Sequence, residues 1–350
     1  MGLTKSQAGI WQKARALGNG GQAVRLDDPA CTYLIARIVY DLGLQSEFPE
    51  LGSEPTAFFS RLSSSELAIE GFNAKELFER LVVSNTDADM YFACLSQLHK
   101  ARMKYERILQ TQPVPTLEQI GPRSLLQFGK LETESLVGLL FWRKWFYDID
   151  NRAGQETGYL FEPILAHAVG GTPASASKSP VRRKSNANKG RQVDCLLDEK
   201  AYEMKIRVTI AASGQGRWAE ELEFPEDCKS SGYMPVLVCM DGTPNEKLES
   251  LANAFKACGG EVYIGDEAWK HLDELAGDTM SHFINGYVRA PIQDLLARRV
   301  ERMPDLVARE SKDSIELTVG SDTLRISRDT TESYFAEDAD SLPDYSDDEL

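Results

Sequence analysis

One stretch, residues 192–210, limits what this chain can fold into more than any other. Residues 192–197 and 201–210 are two runs of strand-forming residues, and Asp198, Glu199 and Lys200 separate them as the turn of an antiparallel hairpin would. Side chains on a strand alternate between faces. Val193, Cys195 and Leu197 are therefore expected on one face, with Gln192, Asp194 and Leu196 on the other. In the second run Tyr202, Met204, Ile206, Val208 and Ile210 form an apolar face, and Glu203, Lys205, Arg207 and Thr209 form a polar one. One face suits a core, and the other gathers two carboxylates and an amine.

Register decides what those polar groups can do. With Asp198 and Glu199 as a two-residue turn, Leu197 pairs with Lys200, Leu196 with Ala201, Cys195 with Tyr202, and Asp194 with Glu203. Directly opposed residues have Cβ atoms roughly 4.5 to 5.5 Å apart, where two like charges are unfavourable unless a cation lies between them. A divalent metal is the natural occupant. A four-residue turn sets Asp194 opposite Lys205 with all three groups still on one face, whereas an odd turn without a bulge separates them. The string itself is weak evidence. Roughly one to three Asp/Glu-x-Lys triplets arise by chance in a chain of this size, and this chain has four, ending at Lys200, Lys205, Lys229 and Lys312. Only the one from Glu203 to Lys205 lies inside a strand pattern with an acid on a strand able to pair with it. The competing reading is a surface hairpin in which Lys205 merely offsets the two acids.

The neighbouring text favours a site. Residues 158–171 read as a helix ended by Gly170 and Gly171, with Glu162 placed to direct a third carboxylate at the hairpin. Downstream come an apolar strand at 235–240, a helix over 244–258 and another strand at 261–265. Helix, antiparallel hairpin, strand, helix and strand predict an α/β fold with a mixed central sheet flanked by helices.

These residues carry a resemblance. The runs 190–194, 201–218 and 231–238 resemble type II restriction endonucleases of the PD-(D/E)xK superfamily, and within it the ApaLI-like group. The resemblance covers about residues 158–300 and implies a restriction-endonuclease-like core. It also implies that Asp194 and Glu203 are Mg²⁺ ligands and that Lys205 orients the attacking water or stabilises phosphate charge. The proline that nominally precedes the first acid is replaced by Val193. The activity implied is hydrolysis of double-stranded DNA at a short, palindromic sequence by a homodimer, because a palindrome mirrors two-fold symmetry. A cognate DNA methyltransferase acting on the same sequence is implied as well. The alternatives are a non-catalytic DNA-binding or assembly protein, or a structure- or end-specific nuclease of the same superfamily.

A formal net charge of −15 is unfavourable for gripping phosphates, but the charge is segregated. Residues 332–350 carry eight acids and no Lys or Arg, and read as a disordered tail. Residues 172–193 hold Lys178, Arg182, Arg183, Lys184, Lys189 and Arg191 without a single acid, in a Ser-, Ala-, Pro- and Asn-rich setting that reads as a mobile loop. That loop is either a cationic arm that orders on DNA or a solvated linker. Arg207, Gln215 and Arg217 are further candidates for DNA contact, the last two beside the small residues of 211–216, a stretch that reads otherwise as a tight loop whose glycines serve only the fold. Glu220 and Glu221, opening the next helix, are either a further acid for the site or solvent-facing.

Residues 1–155 read as mainly helical, with helices over 5–17, 30–42, 74–83, 88–110 and 133–149 and a dimerisation or DNA-contact role. The nuclease core follows at 156–300, with the basic loop at 172–191, a C-terminal β-hairpin at 301–331 and the tail. Phe141, Trp142, Trp145, Phe146 and Tyr147 on one helix read as core rather than a base-stacking platform, with a dimer interface as the other reading. The four histidines are expected in core or surface positions. The six cysteines lack any CxxC spacing and read as reduced thiols of a cytoplasmic protein, with no signal peptide and no membrane span.

Overall fold

The computed structural model describes residues 2–17, 22–205 and 215–329, with the backbone alone for 155–159 and 215–217. The chain opens with α1 (Lys5–Arg15), α2 (Asp28–Asp41), α3 (Ala74–Ser84) and α4 (Ala88–Thr111). Polar residues start the first three. Thr4 and Gln7 form a reciprocal capping box, and Asp27 and Asn73 accept the amides of Ala30 and Glu76.

After a short α5 (Leu117–Ile120), one helix, α6, runs from Thr133 to Ala168. Two helices, ending at 149 and restarting at 158, were expected here. Gly154, Gly158 and Pro163 weaken the local preference, each glycine by about 1 kcal/mol. Packing overrides them, since α6 lies against α4, the later helix Asp266–Ile284 and the strands Thr172–Ala174 and Val193–Leu197. It also carries the chain through the expected domain boundary at 155/156. Phe78, Tyr91, Phe92 and Leu95 of the N-terminal helices lie in the same apolar cluster as Tyr202, Met204, Val236 and Val238 of the sheet.

That sheet has five strands. β1 (Thr172–Ala174) is followed by a separate ribbon of β2 (Arg182–Arg183) and β3 (Asn186–Gly190), then by β4 (Val193–Leu197) and β5 (Lys200–Lys205). Helix α7 (Gln215–Ser230) leads to β6 (Met234–Cys239), and α8 (Glu246–Ala257) to β7 (Glu261–Ile264). The order is β1-β4-β5-β6-β7. β1 and β5 flank β4 antiparallel, and β6 and β7 continue parallel to β5, so the sheet is mixed. Tyr202, Met204, Val236 and Val238 face α4, α6 and α9 (Asp266–Ile284). Ala201 and Leu237 face Phe224 of α7 and Leu251 and Phe255 of α8.

Beyond α9 and α10 (Ala290–Leu296), β8 (Leu306–Glu310), β9 (Ser314–Val319) and β10 (Asp322–Ser327) form a three-stranded meander, where only the last two strands were expected. Ile315 and Ile326 pack on Trp145 and Ile149, with Trp142 and Phe146 beside them, so these members of the aromatic stripe of α6 are core while Tyr147 is exposed. All six cysteines are free thiols. Among the described residues no helix is long and apolar enough to cross a membrane.

Candidate active site

The hairpin folds in the two-residue register. Leu197 pairs with Lys200, Leu196 with Ala201 and Cys195 with Tyr202. Asp198 takes a positive φ, which aspartate tolerates better than most residues. The main-chain ladder stops there. Asp194 does not simply stand across from Glu203, because its Oδ2 accepts the amide of Met204 at 2.8 Å.

The reason lies on the other side of β4. Thr172 of β1 opposes Leu196 and Ala174 opposes Val193, so two steps along β1 match three along β4. The extra residue is a β-bulge at Asp194 and Cys195, a device that re-aims a side chain. It also corrects the simple alternation: Val193 packs with Leu196, Ala201 and Leu237, while Cys195 and Leu197 pack with Tyr202 and Met204 on the opposite face. Tight packing fixes this edge. Gly170, with positive φ, ends α6, and a Cβ at Gly171 would overlap Cys195 Sγ.

Lys205 Nζ lies 2.9 Å from Glu203 Oε1 and 3.4 Å from Glu221 Oε1, the second acid arriving from α7. Glu221 is the member of the site that strand periodicity does not reach, since it enters from a helix beyond the hairpin. Burial opposes the Lys205 ammonium, but the charges of Glu203, Glu221 and Asp194 outweigh it and push its pKa up. The amine stays protonated. Burial, reinforced by the charges of Glu203 and Glu162, raises the Asp194 carboxyl well above the usual range, with Lys205 and the Met204 amide opposing. Burial followed by the Glu203 charge lifts Glu162 to about 7, again against Lys205. Glu162, Asp194, Glu203 and Lys205 thus act on one another electrostatically.

Among the described residues no three His, Cys, Asp or Glu side chains form a ready-made metal cage. The donor set is carboxylate oxygens that resist simultaneous ionisation, which suits a hard divalent cation that uses few protein ligands and keeps several waters. Histidine contributes nothing to this set. His99 is fully buried and His271 stacks on Tyr263.

The basic segment has regular structure where a mobile loop was expected. Arg191 is not offered to a ligand: it is buried beside Asp227 at 3.6 Å, lies over the Phe224 ring and donates to the Glu220 carbonyl. Arg183 pairs with Glu220 at 3.1 Å and Lys184 with Glu226 at 2.7 Å. These acids on α7, invisible from the basic segment itself, explain why so much positive charge folds down. Lys178, Arg182 and Lys189 remain exposed. Arg207 and the side chains of Gln215 and Arg217 lie outside the described residues.

With this geometry in place, the comparisons are specific. A model of the ApaLI-like restriction endonuclease family matches residues 59–289. The type II restriction enzyme ApaLI of Acetobacter pasteurianus is 40% identical over 334 residues, covering 88% of this chain and 89% of that enzyme. The likeness therefore reaches into the N-terminal helices, further than the 158–300 resemblance. No solved structure matches the chain.

Proposed function

The chain belongs to the ApaLI-like restriction endonuclease family and is a site-specific deoxyribonuclease, and from that premise we propose that Asp194, Glu203 and Lys205 are its catalytic residues on a PD-(D/E)xK core. The observation that carries this reading is the meeting of Asp194, Glu203 and Lys205 at the open end of one hairpin, with Glu162 electrostatically linked to them. Asp194 and Glu203, with Glu162, would hold Mg²⁺, which supplies Lewis-acid polarisation of the scissile phosphate and stabilises the leaving oxygen.

The chain's own groups account for the rest. Lys205, kept protonated between Glu203 and Glu221, offers donors to the attacking water or to charge developing on the phosphate. The Met204 amide fixes one oxygen of Asp194 and so orients the other. Water then attacks phosphorus in line with the leaving oxygen.

The substrate on this reading is double-stranded DNA carrying a short palindrome, cut by a homodimer in the cytoplasm. A methyltransferase protecting the same sequence is a functional counterpart and not a bound subunit. Exposed Lys178, Arg182 and Lys189 supply phosphate contacts. The test is incubation of the purified chain with plasmid DNA and Mg²⁺, with and without EDTA. Discrete, EDTA-sensitive bands are expected; an intact plasmid, or a smear confined to DNA ends, overturns the reading.

A further inference from the structure

The β2–β3 ribbon has no packing role that explains its form. Residues 184–189, Lys-Ser-Asn-Ala-Asn-Lys, are all exposed and contain no apolar side chain larger than alanine. A two-stranded hairpin on its own is marginally stable in water. This one is nonetheless fixed at its base and at its Lys184 turn from several directions. The Arg182 amide donates to Ser231 Oγ at 2.8 Å, the Lys184 amide to Asp227 Oδ1 at 2.7 Å, and the Arg191 amide to the Val181 carbonyl at 2.9 Å. Gly190 passes so close to Ala176 that a Cβ there would overlap its carbonyl oxygen. The buried Arg191 guanidinium ties the end of the ribbon to α7. Such anchoring holds a polar tip in one place.

That place is set relative to the catalytic centre. Glu220 of α7 grips the ribbon through Arg183 and Arg191, and the next residue, Glu221, grips Lys205. From Asn188 the chain continues through Arg191 directly into β4, reaching Asp194 six residues later. Six extended residues span at most about 20 Å. Asn188 therefore lies no further from Asp194 than about the width of a DNA duplex. The ribbon is irregular between Arg182 and Arg183, and Asn186 and Asn188 border one surface concavity together with Arg183 and Lys189. Asn186 Oδ1 caps the Asn188 amide at 3.1 Å, and the Asn188 side chain has no hydrogen-bond partner among the described residues. Major grooves admit a two-stranded ribbon, and asparagine carboxamides pair with adenine edges there in a way phosphates cannot exploit.

We propose that the β2–β3 ribbon enters the major groove beside the scissile phosphate and that Asn186 and Asn188 read base edges, making them specificity-determining residues of the endonuclease. The inference rests on the nuclease reading above. Its test uses the full chain and the double variant Asn186→Ala/Asn188→Ala. Binding is measured with Ca²⁺ in place of Mg²⁺ at fixed salt, on the duplex identified by sequencing wild-type cleaved ends and on a scrambled duplex. The double variant is expected to lose about 10- to 100-fold in cognate affinity, to hold its scrambled-duplex affinity within about twofold, and to cut one-base-pair variants of the site more readily relative to the cognate one. Its melting temperature is expected to stay close to the wild type, since both side chains are exposed and only the Asn186 cap on the Asn188 amide is lost. Equal losses on both duplexes would mean backbone contact only and would overturn the proposal, as would unchanged affinity on both. Failure of the wild type to cut any duplex is a separate outcome that sinks the nuclease reading itself.

Discussion

Asp194 Oδ2 and the Met204 amide, 2.8 Å apart, form a side-chain rung at the point where the hairpin's main-chain ladder ends. The same carboxylate is thereby both a structural closure and a candidate ligand, and the two roles can be separated chemically.

Asp194→Asn keeps an acceptor for the Met204 amide but removes the charge. Stability is expected to change by no more than about 1 kcal/mol. Plasmid cleavage is expected to fall roughly a thousandfold, which corresponds to about 4 kcal/mol of lost transition-state stabilisation. Cognate DNA binding in Ca²⁺ should persist. Wild-type cutting rates from this variant would remove Asp194 from the catalytic set.

Lys205→Ala removes the cation that Glu203, Glu221 and Asp194 share. Losing one partner of a largely buried charged cluster is expected to cost on the order of 3 kcal/mol in the metal-free protein. Because a divalent cation relieves the same repulsion, Mg²⁺ should raise the melting temperature of this variant more than that of the wild type. Thermal melts with and without Mg²⁺ measure the difference, and equal shifts would argue against a shared site.

Glu162, lifted to about 7, gives a pH dependence with a definite sign. Between the ordinary carboxylate range and about 7, the folded metal-free protein holds a proton that the unfolded chain has already released. This contribution to stability is therefore fully present at low pH and is lost as pH rises through that window. Metal uptake must displace the proton, so affinity for Mn²⁺ should rise as pH approaches 7. Glu162→Gln should flatten both trends in chemical denaturation and calorimetry.

Gly171→Ala places a methyl group on Cys195 Sγ and 3.0 Å from the Leu196 carbonyl oxygen. Overpacking at so confined a point is expected to cost about 1–3 kcal/mol. Cleavage should drop with it, because the strand being pushed carries Asp194. Adding Cys195→Ala should restore part of the stability, and strict additivity of the two changes would show that the contact is not the cause.

The hairpin register was readable because turn composition and alternation are local. The bulge at Asp194 was not, because it exists only relative to β1, a three-residue strand whose Pro173 and Ala174 carry little strand preference and whose partner lies some twenty residues away. The anchoring of Arg191 escaped for a related reason: Asp227 lies far along the chain, on a helix whose own pattern says nothing about what it holds. The continuity of the helix that carries Glu162 is not legible locally, because Gly154 and Gly158 are helix breakers that tertiary packing overrules.

That continuous helix joins the two halves of the chain into one core. At about 54 Å from end to end, α6 starts among the N-terminal layers and finishes against the strand that bears Asp194. A fragment beginning at residue 156 would start inside it and strip the cover from Tyr202 and Met204. The half that bears the candidate site shares one apolar core with the N-terminal helices, so a fragment cut there is expected to expose that core when excised, fused elsewhere or exchanged as a cassette.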